Sequence, residues 1–163
     1  MNLAKAQLKT NDEWMTPISA WENIKEYMPK NATIYEPFSG DGQNKRNLQT
    51  LGFSVLDNTE DDFFLSEDHK RCTHIISNPP FSKKKEIFKK LKGIEKPFIL
   101  IIPTTSLQTK FTKNIFNGSI QIIMPSYRIQ FKSPDETKNK SSCSFTSCYL
   151  TYKMNLPQDL IFI

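Results

Sequence analysis

Cysteine is scarce in this chain, and its spacing is wrong for either of its usual structural jobs. The three residues, Cys72, Cys143 and Cys148, are an odd number with no close pair, so no disulfide framework is expected. His69 and His74 flank Cys72, but a metal centre needs a second close pair of ligands, and no metal is expected. No apolar run reaches the roughly 18 residues of a helical membrane span, and residues 1–10 lack the apolar core of a secretion signal. The expectation is a soluble, non-secreted protein of the cell interior. Neither G-x-G-x-x-G nor G-K-[ST] occurs, which gives a dinucleotide-binding oxidoreductase or a nucleoside triphosphatase little support. Linkers, repeats and low-complexity blocks are also missing, so the 163 residues are expected to form one domain.

Aromatic residues are plentiful. They make up 12% of the chain, with 12 Phe among 37% hydrophobic residues, enough for a packed core. The 22 Lys and Arg exceed the 17 Asp and Glu, giving a net charge of +5 and a pI near 9.1. That balance favours a polyanionic partner, a merely basic surface being the alternative.

Periodicity and stop signals divide the chain into alternating elements. After a polar start, a helix is expected over residues 20–28, capped by Ser19 and ended by Pro29, with Trp21, Ile24 and Met28 on one face. Strands are expected at 33–38, 53–57 and 74–77; the first leads through a glycine turn into a helix over 44–51 closed by Gly52. A lysine-rich helix over 82–91 follows, with Ile87, Phe88 and Leu91 inward and Gly93 as its stop. Residues 98–103 are wholly apolar, as befits a strand buried on both faces of a parallel sheet. A helix at 106–116, a strand at 120–124, a hairpin arm at 127–131, a strand at 145–153 and a short closing strand within 156–163 complete the reading. Residues 132–142 are expected to be a polar loop. The alternation implies an α/β, Rossmann-like domain: a mainly parallel sheet, helices on both faces, and one antiparallel strand at or near an edge.

In such sheets ligands bind beyond the carboxyl ends of the strands, near the switch in strand order. Glu36, Gly40, Asp57, Asp62 and Asn78 all fall there. Gly40 and Gly42 let a backbone approach a ligand and leave N–H groups at a helix start for a carboxylate or phosphate. Asp57 is placed either to accept from ribose hydroxyls or simply to sit as a solvated turn residue. Asp62 with Phe63 could read an adenine, or be a capping Asp beside a core Phe. Ser77-Asn78-Pro79-Pro80-Phe81 leaves its strand as a stiff loop, because proline has no N–H and a fixed φ. It offers hydrogen-bond acceptors beside a flat apolar ring, which suits gripping a planar amino group.

Taken together and in this order, the motifs resemble those of S-adenosylmethionine-dependent adenine-N6 methyltransferases, of the compact kind found in phages and viruses. The resemblance runs from Trp14 to about Lys153. It implies a class I methyltransferase fold; the chain is smaller than many DNA methyltransferases, and no separate target-recognition domain is expected in it. It also implies a cofactor loop at Glu36-Pro37-Phe38-Ser39-Gly40-Asp41-Gly42, a ribose contact at Asp57 and an adenine contact at Asp62 with Phe63. Trp14, Thr16 and Pro17 correspond to an N-terminal cofactor segment, and Asn78, Pro79, Pro80 and Phe81 to the catalytic loop. The implied substrate is adenine in DNA, with RNA second. The same Asn-Pro-Pro-aromatic loop also occurs in enzymes that methylate protein glutamine, and a non-catalytic nucleic-acid-binding subunit is a further alternative.

The chemistry asked of that loop is specific. An exocyclic amine is a poor nucleophile because its lone pair is delocalised into the ring. Acceptors at the Asn78 side-chain oxygen and the Pro79 carbonyl would draw density back onto nitrogen, and positioning supplies much of the rest. A duplex base must first be flipped out at a cost of a few kcal/mol. Stacking on Phe81 recovers about 1–3 kcal/mol. Phe131 is the candidate for the second face, or else core. Lys83, Lys84 and Lys85 are candidates for flanking phosphates, or else a solvated helix face.

Overall fold

A computed structural model of the chain describes residues 14–133 and 145–163. Its centre is β4 (Phe98–Pro103), whose six residues are all buried. Side chains alternate across a strand, so Ile99 and Ile101 enter one hydrophobic layer while Phe98, Leu100 and Ile102 enter the other. The sheet has seven strands in the order β2-β1-β3-β4-β6-β5-β7. Here β1 is Thr33–Tyr35, β2 Ser54–Val55, β3 His74–Ser77, β5 Ile120–Met124, β6 Ser147–Tyr152 and β7 Leu160–Phe162. β1, β2, β3 and β4 are parallel neighbours, and β7 runs parallel to β5. β6 is antiparallel to both β4 and β5, so the reversed strand lies third from the edge, with the closing strand outside it.

One face carries α1 (Ile18–Glu22) and α2 (Gln43–Thr50), the other α3 (Lys84–Ile94) and α4 (Lys110–Phe116). α3 turns Ile87, Phe88 and Leu91 fully inward, as its spacing requires. Several boundaries move for identifiable reasons. The first helix begins at Ile18, because Pro17, with φ −67°, takes the position before the first turn; Ser19 lies inside it. It gives way to a 3-10 turn over Lys25–Tyr27, yet Ile24 and Met28 still bury. Gly93 does not stop α3. The left-handed residue is Glu95 (φ 60°), whose carboxylate is held by Lys92, Lys153 and Tyr152. α4 starts only at Lys110, where the Thr109 hydroxyl accepts from the Thr112 N–H (3.3 Å). Just past the segment expected as a hairpin arm, Lys132, the first residue of the expected polar loop, ties down the N-terminal stretch: Lys132 and Met15 exchange backbone hydrogen bonds of 2.8 and 3.1 Å.

The loop between β2 and β3 is braced by a buried acid that the sequence reading passed over. Asp68 accepts from the Thr59 N–H (2.8 Å), the Thr59 hydroxyl (2.6 Å) and Arg71 (2.5 Å). Burial pushes its pKa up, but these donors outweigh it and hold the carboxyl well below the usual range. Asp68→Ala strands those donors and is expected to cost about 2 kcal/mol. For a domain of this size thermal unfolding would fall by about 4–8 °C.

Candidate active site

The chain runs from β1 to β2 on one side and then crosses to β3 on the other. The order therefore reverses between β1 and β3, and a crevice opens beyond their carboxyl ends. Glu36 follows β1 and Asn78 follows β3, so these residues flank the switch point.

Glu36 is 1% exposed and its carboxyl group accepts three hydrogen bonds. Oε1 accepts from the Phe38 N–H (2.9 Å) and from the Ser77 hydroxyl, and Oε2 accepts from the Asn44 amide. The Trp21 indole N–H donates to Asn44 Oδ1. One carboxylate thus joins α1, α2, β1 and β3. Asn58 adds a bond from Nδ2 to the Glu36 carbonyl (3.1 Å). Burial pushes the Glu36 carboxyl up to about 8, against the pull of the Ser77 and Phe38 donors. Pro37 is buried behind it.

The glycine loop differs from the expectation in one respect. Gly40 and Gly42 do adopt left-handed φ values of 56° and 84°, conformations costly to side-chain-bearing residues. The Gly42 N–H, however, donates to the Ser39 carbonyl (2.8 Å), and the Gln43 N–H to the Asp41 carboxylate (2.9 Å). These amides at the helix start are therefore engaged within the loop. What the loop offers is room: no atom lies within 4 Å of where a Cβ on Gly40 would stand.

Asp57 lies at the same end of the sheet, its side chain 96% exposed and ion-paired with Lys45, which holds its carboxyl below the usual range. Asp62 Oδ1 accepts from the Phe64 N–H (2.8 Å), as a turn-capping Asp does. Phe63 is a core ring, 3% exposed, with Phe38 edge-on at 4.9 Å and Lys90 Nζ 4.8 Å from its centroid. Lys90 also donates to the Phe63, Phe64 and Ser66 carbonyls, which fixes it as a loop clamp.

The N-terminal segment and the Asn-Pro-Pro loop meet directly. Thr16, 6% exposed, accepts from Asn78 Nδ2 at its hydroxyl (3.0 Å) and from Asn47 Nδ2 at its carbonyl (3.1 Å). With Nδ2 bound to Thr16, Asn78 Oδ1 is buried and has no partner among the described residues. An unpaired buried acceptor costs about 1–3 kcal/mol, so this oxygen is a site for a donor. The Pro80 carbonyl accepts from the Lys83 N–H (3.3 Å), while the Pro79 carbonyl takes no backbone hydrogen bond among the described residues.

Beside the loop stands an aromatic cluster. Phe81 meets Phe145 edge-on at 5.2 Å, and Phe131, 5% exposed, stacks on Phe145 at 5.6 Å. Trp14 meets the same ring at 6.1 Å. Lys83, Lys84 and Lys85 form no ion pair among the described residues. Lys85 and Lys89 line an open groove between α3 and α4 with Lys110, Phe111 and Asn114. Sequence reasoning names Ser77 at the head of the Asn-Pro-Pro loop without giving it a role, and gives none to Asn44 and Phe145. The polar pair Asn44 and Asn47, placed with Leu48 on the inward face of α2, was the one available signal.

No protein-family model and no curated protein matches the chain. Among solved structures, a candidate class I S-adenosylmethionine-dependent methyltransferase of Listeria monocytogenes matches with a TM-score of 0.52 and 14% identity, over 97% of this chain and 67% of its own. At that identity the likeness is one of fold. The chain has the mixed α/β architecture of class I methyltransferases.

The Glu36 carboxyl yields a pH signature. Its pKa rises on folding from 4.5 to about 8, so its contribution to stability is full below pH 4.5 and is lost as pH rises to about 8. The slope is at most about 1.4 kcal/mol per pH unit. Burial lowers the pKa of His69 and His74, which gives an opposing slope, so the difference between wild type and Glu36→Gln isolates the acid. Denaturant unfolding from pH 4 to 9 should show that difference falling as pH rises and levelling off above about 8; parallel profiles would contradict it.

Proposed function

We propose that this chain transfers a methyl group from S-adenosylmethionine to the exocyclic N6 amine of adenine in DNA. The observation that carries the proposal is that Asn78 Oδ1, three residues before Phe81 on the same stiff loop, is buried and without a partner among the described residues; an amine on a flat ring would supply the missing donor. The class I methyltransferase fold supports the choice of cofactor, and the net charge of +5 supports a polyanionic substrate.

The cofactor would lie over the open Gly40 turn and reach Asp57, with Asp62 and the 14–17 segment, Trp14, Thr16 and Pro17, around it. The space at Gly40 and the exposed Asp57 carboxylate fit such a ligand. Glu36 acts by positioning: it fixes the Phe38 amide and Ser77 and does not face the ligand. When bound, S-adenosylmethionine supplies an electrophilic methyl on its sulfonium.

The chain's own groups do the remaining work. Asn78 Oδ1 accepts one amine hydrogen and the Pro79 carbonyl the other, which localises the lone pair on nitrogen. Thr16 locks the Asn78 amide through Nδ2, and Pro79 and Pro80 keep the loop stiff. Phe81 supports the ring face. Fixed dipoles of this kind contribute about 10²–10³ in rate. No strong general base is required, because the amine proton becomes acidic only as the new N–C bond forms, and solvent can then take it.

The test supplies labelled S-adenosylmethionine with duplex DNA, single-stranded DNA, RNA and protein in parallel, followed by nucleoside and peptide analysis. N6-methyladenine from DNA is the expected product. Asn78→Ala should lose at least about a hundredfold of that activity while binding the cofactor as wild type does. Label in RNA or in protein glutamine would move the substrate. No affinity for S-adenosylmethionine in calorimetry would sink the enzyme reading in favour of a binding subunit. Replacing Lys83, Lys84 and Lys85 with Ala should weaken DNA binding uniformly across sequences and reduce its salt dependence by about one unit of slope for each lost phosphate contact.

A further inference from the structure

On the reading that the cleft beside Asn78 takes a planar base, we propose that Phe145 occupies the base's own place and must swing out for substrate to bind. Phe81 and Phe131 both touch Phe145, and neither ring contacts the other among the described residues. The space between them is filled by one flat ring, which presents its face to Phe131 (5.6 Å, 29° between planes) and meets Phe81 edge-on (5.2 Å, 87°). Trp14 closes a third side at 80°.

The phenyl ring is a poor match for the polar part of this slot. Asn78 Oδ1 is buried without a partner beside it. Among the described residues Ser147 Oγ is also buried and unpaired; alternation along β6 puts Ser147 on the same side as Tyr149, whose hydrophobic layer is the one Phe145 packs against. A hydrocarbon ring can satisfy neither atom, whereas a nucleobase edge can offer a donor to the first and a hydrogen-bonding partner to the second. Among the described residues Phe145 stands outside the strand pairing: the β4–β6 ladder begins at Pro103↔Ser147, and the preceding Thr146 carbonyl accepts from Thr104 N–H, so rotation of the Phe145 side chain breaks none of the described pairs. Displacing three ring contacts would weaken base binding by about tenfold to a thousandfold.

Adenosine 5′-monophosphate is the probe, titrated while Trp14 emission is followed, with Trp14→Phe as the blank. A glutamine-containing peptide is titrated alongside. The expected result is that the nucleotide shifts Trp14 emission in wild type, and that Phe145→Ala binds it about tenfold more tightly or better. Phe145→Leu, which keeps apolar bulk without a flat ring, should gain less in the same direction and serves if the alanine variant does not fold. Equal or weaker nucleotide binding by these variants would overturn the proposal and make Phe145 a fixed wall of the site. Asn78-dependent methyl transfer to the peptide, with no nucleotide binding in any variant, would overturn it and leave the methyltransferase reading standing. Tighter nucleotide binding by Phe145→Ala without methyl transfer to any substrate would uphold the slot and sink the transfer reading.

Discussion

A single buried carboxylate carries the architecture of the cleft. Glu36 takes donors from the Phe38 backbone, the Ser77 hydroxyl and the Asn44 amide, and Asn44 in turn holds the Trp21 indole. Its three donors come from the turn after β1 (Phe38), the first turn of α2 (Asn44) and the last residue of β3 (Ser77), so this acid sets where β1 ends, how α2 docks and where β3 delivers its loop. Taking the acid out of water is costly, and its raised pKa records that cost. Natural chains keep such groups where geometry matters more than net stability, and here the geometry defined is that of the switch point.

From that fixed point the loop of Asn78 follows. Ser77 is tied to Glu36 on one side, and Asn78 Nδ2 is tied to Thr16 on the other, with Thr16 itself held by Asn47. The loop has little freedom left, since Pro79 and Pro80 fix their own φ values. Its free acceptor is therefore preorganised. An oxygen that would relax toward a partner in a softer loop is kept unpaired, which is the arrangement expected of a site that develops its strongest interaction only with the reacting amine.

Much of the scaffold could be read from the chain, and the parts that could not share a cause. β3, β4 and β5 lie at the residues their apolar runs mark, and Ile87, Phe88 and Leu91 bury as helical spacing requires. Local patterns encode those features. Glu95 replaces Gly93 as the left-handed cap because Lys92, Lys153 and Tyr152, distant in part along the chain, stabilise it. The donors on Glu36, the brace at Asp68 and the ring of Phe145 between Phe81 and Phe131 likewise depend on tertiary partners that no local period marks. Phe63 shows the limit from the other side. Its motif leaves a base platform and a core ring both open, and only the folded chain shows it packed against Phe38 and beneath Lys90.

The central claim is that Asn78 Oδ1 is the seat of the reacting amine. The most direct measurement is a crystal structure of the protein with S-adenosylhomocysteine and an adenine-containing oligonucleotide. The account predicts one adenine out of the stack, its exocyclic nitrogen within hydrogen-bond distance of Asn78 Oδ1 and its ring against Phe81. An ordered oligonucleotide whose bases all lie away from Asn78, with Oδ1 still unpaired or bridged only by water, would contradict it.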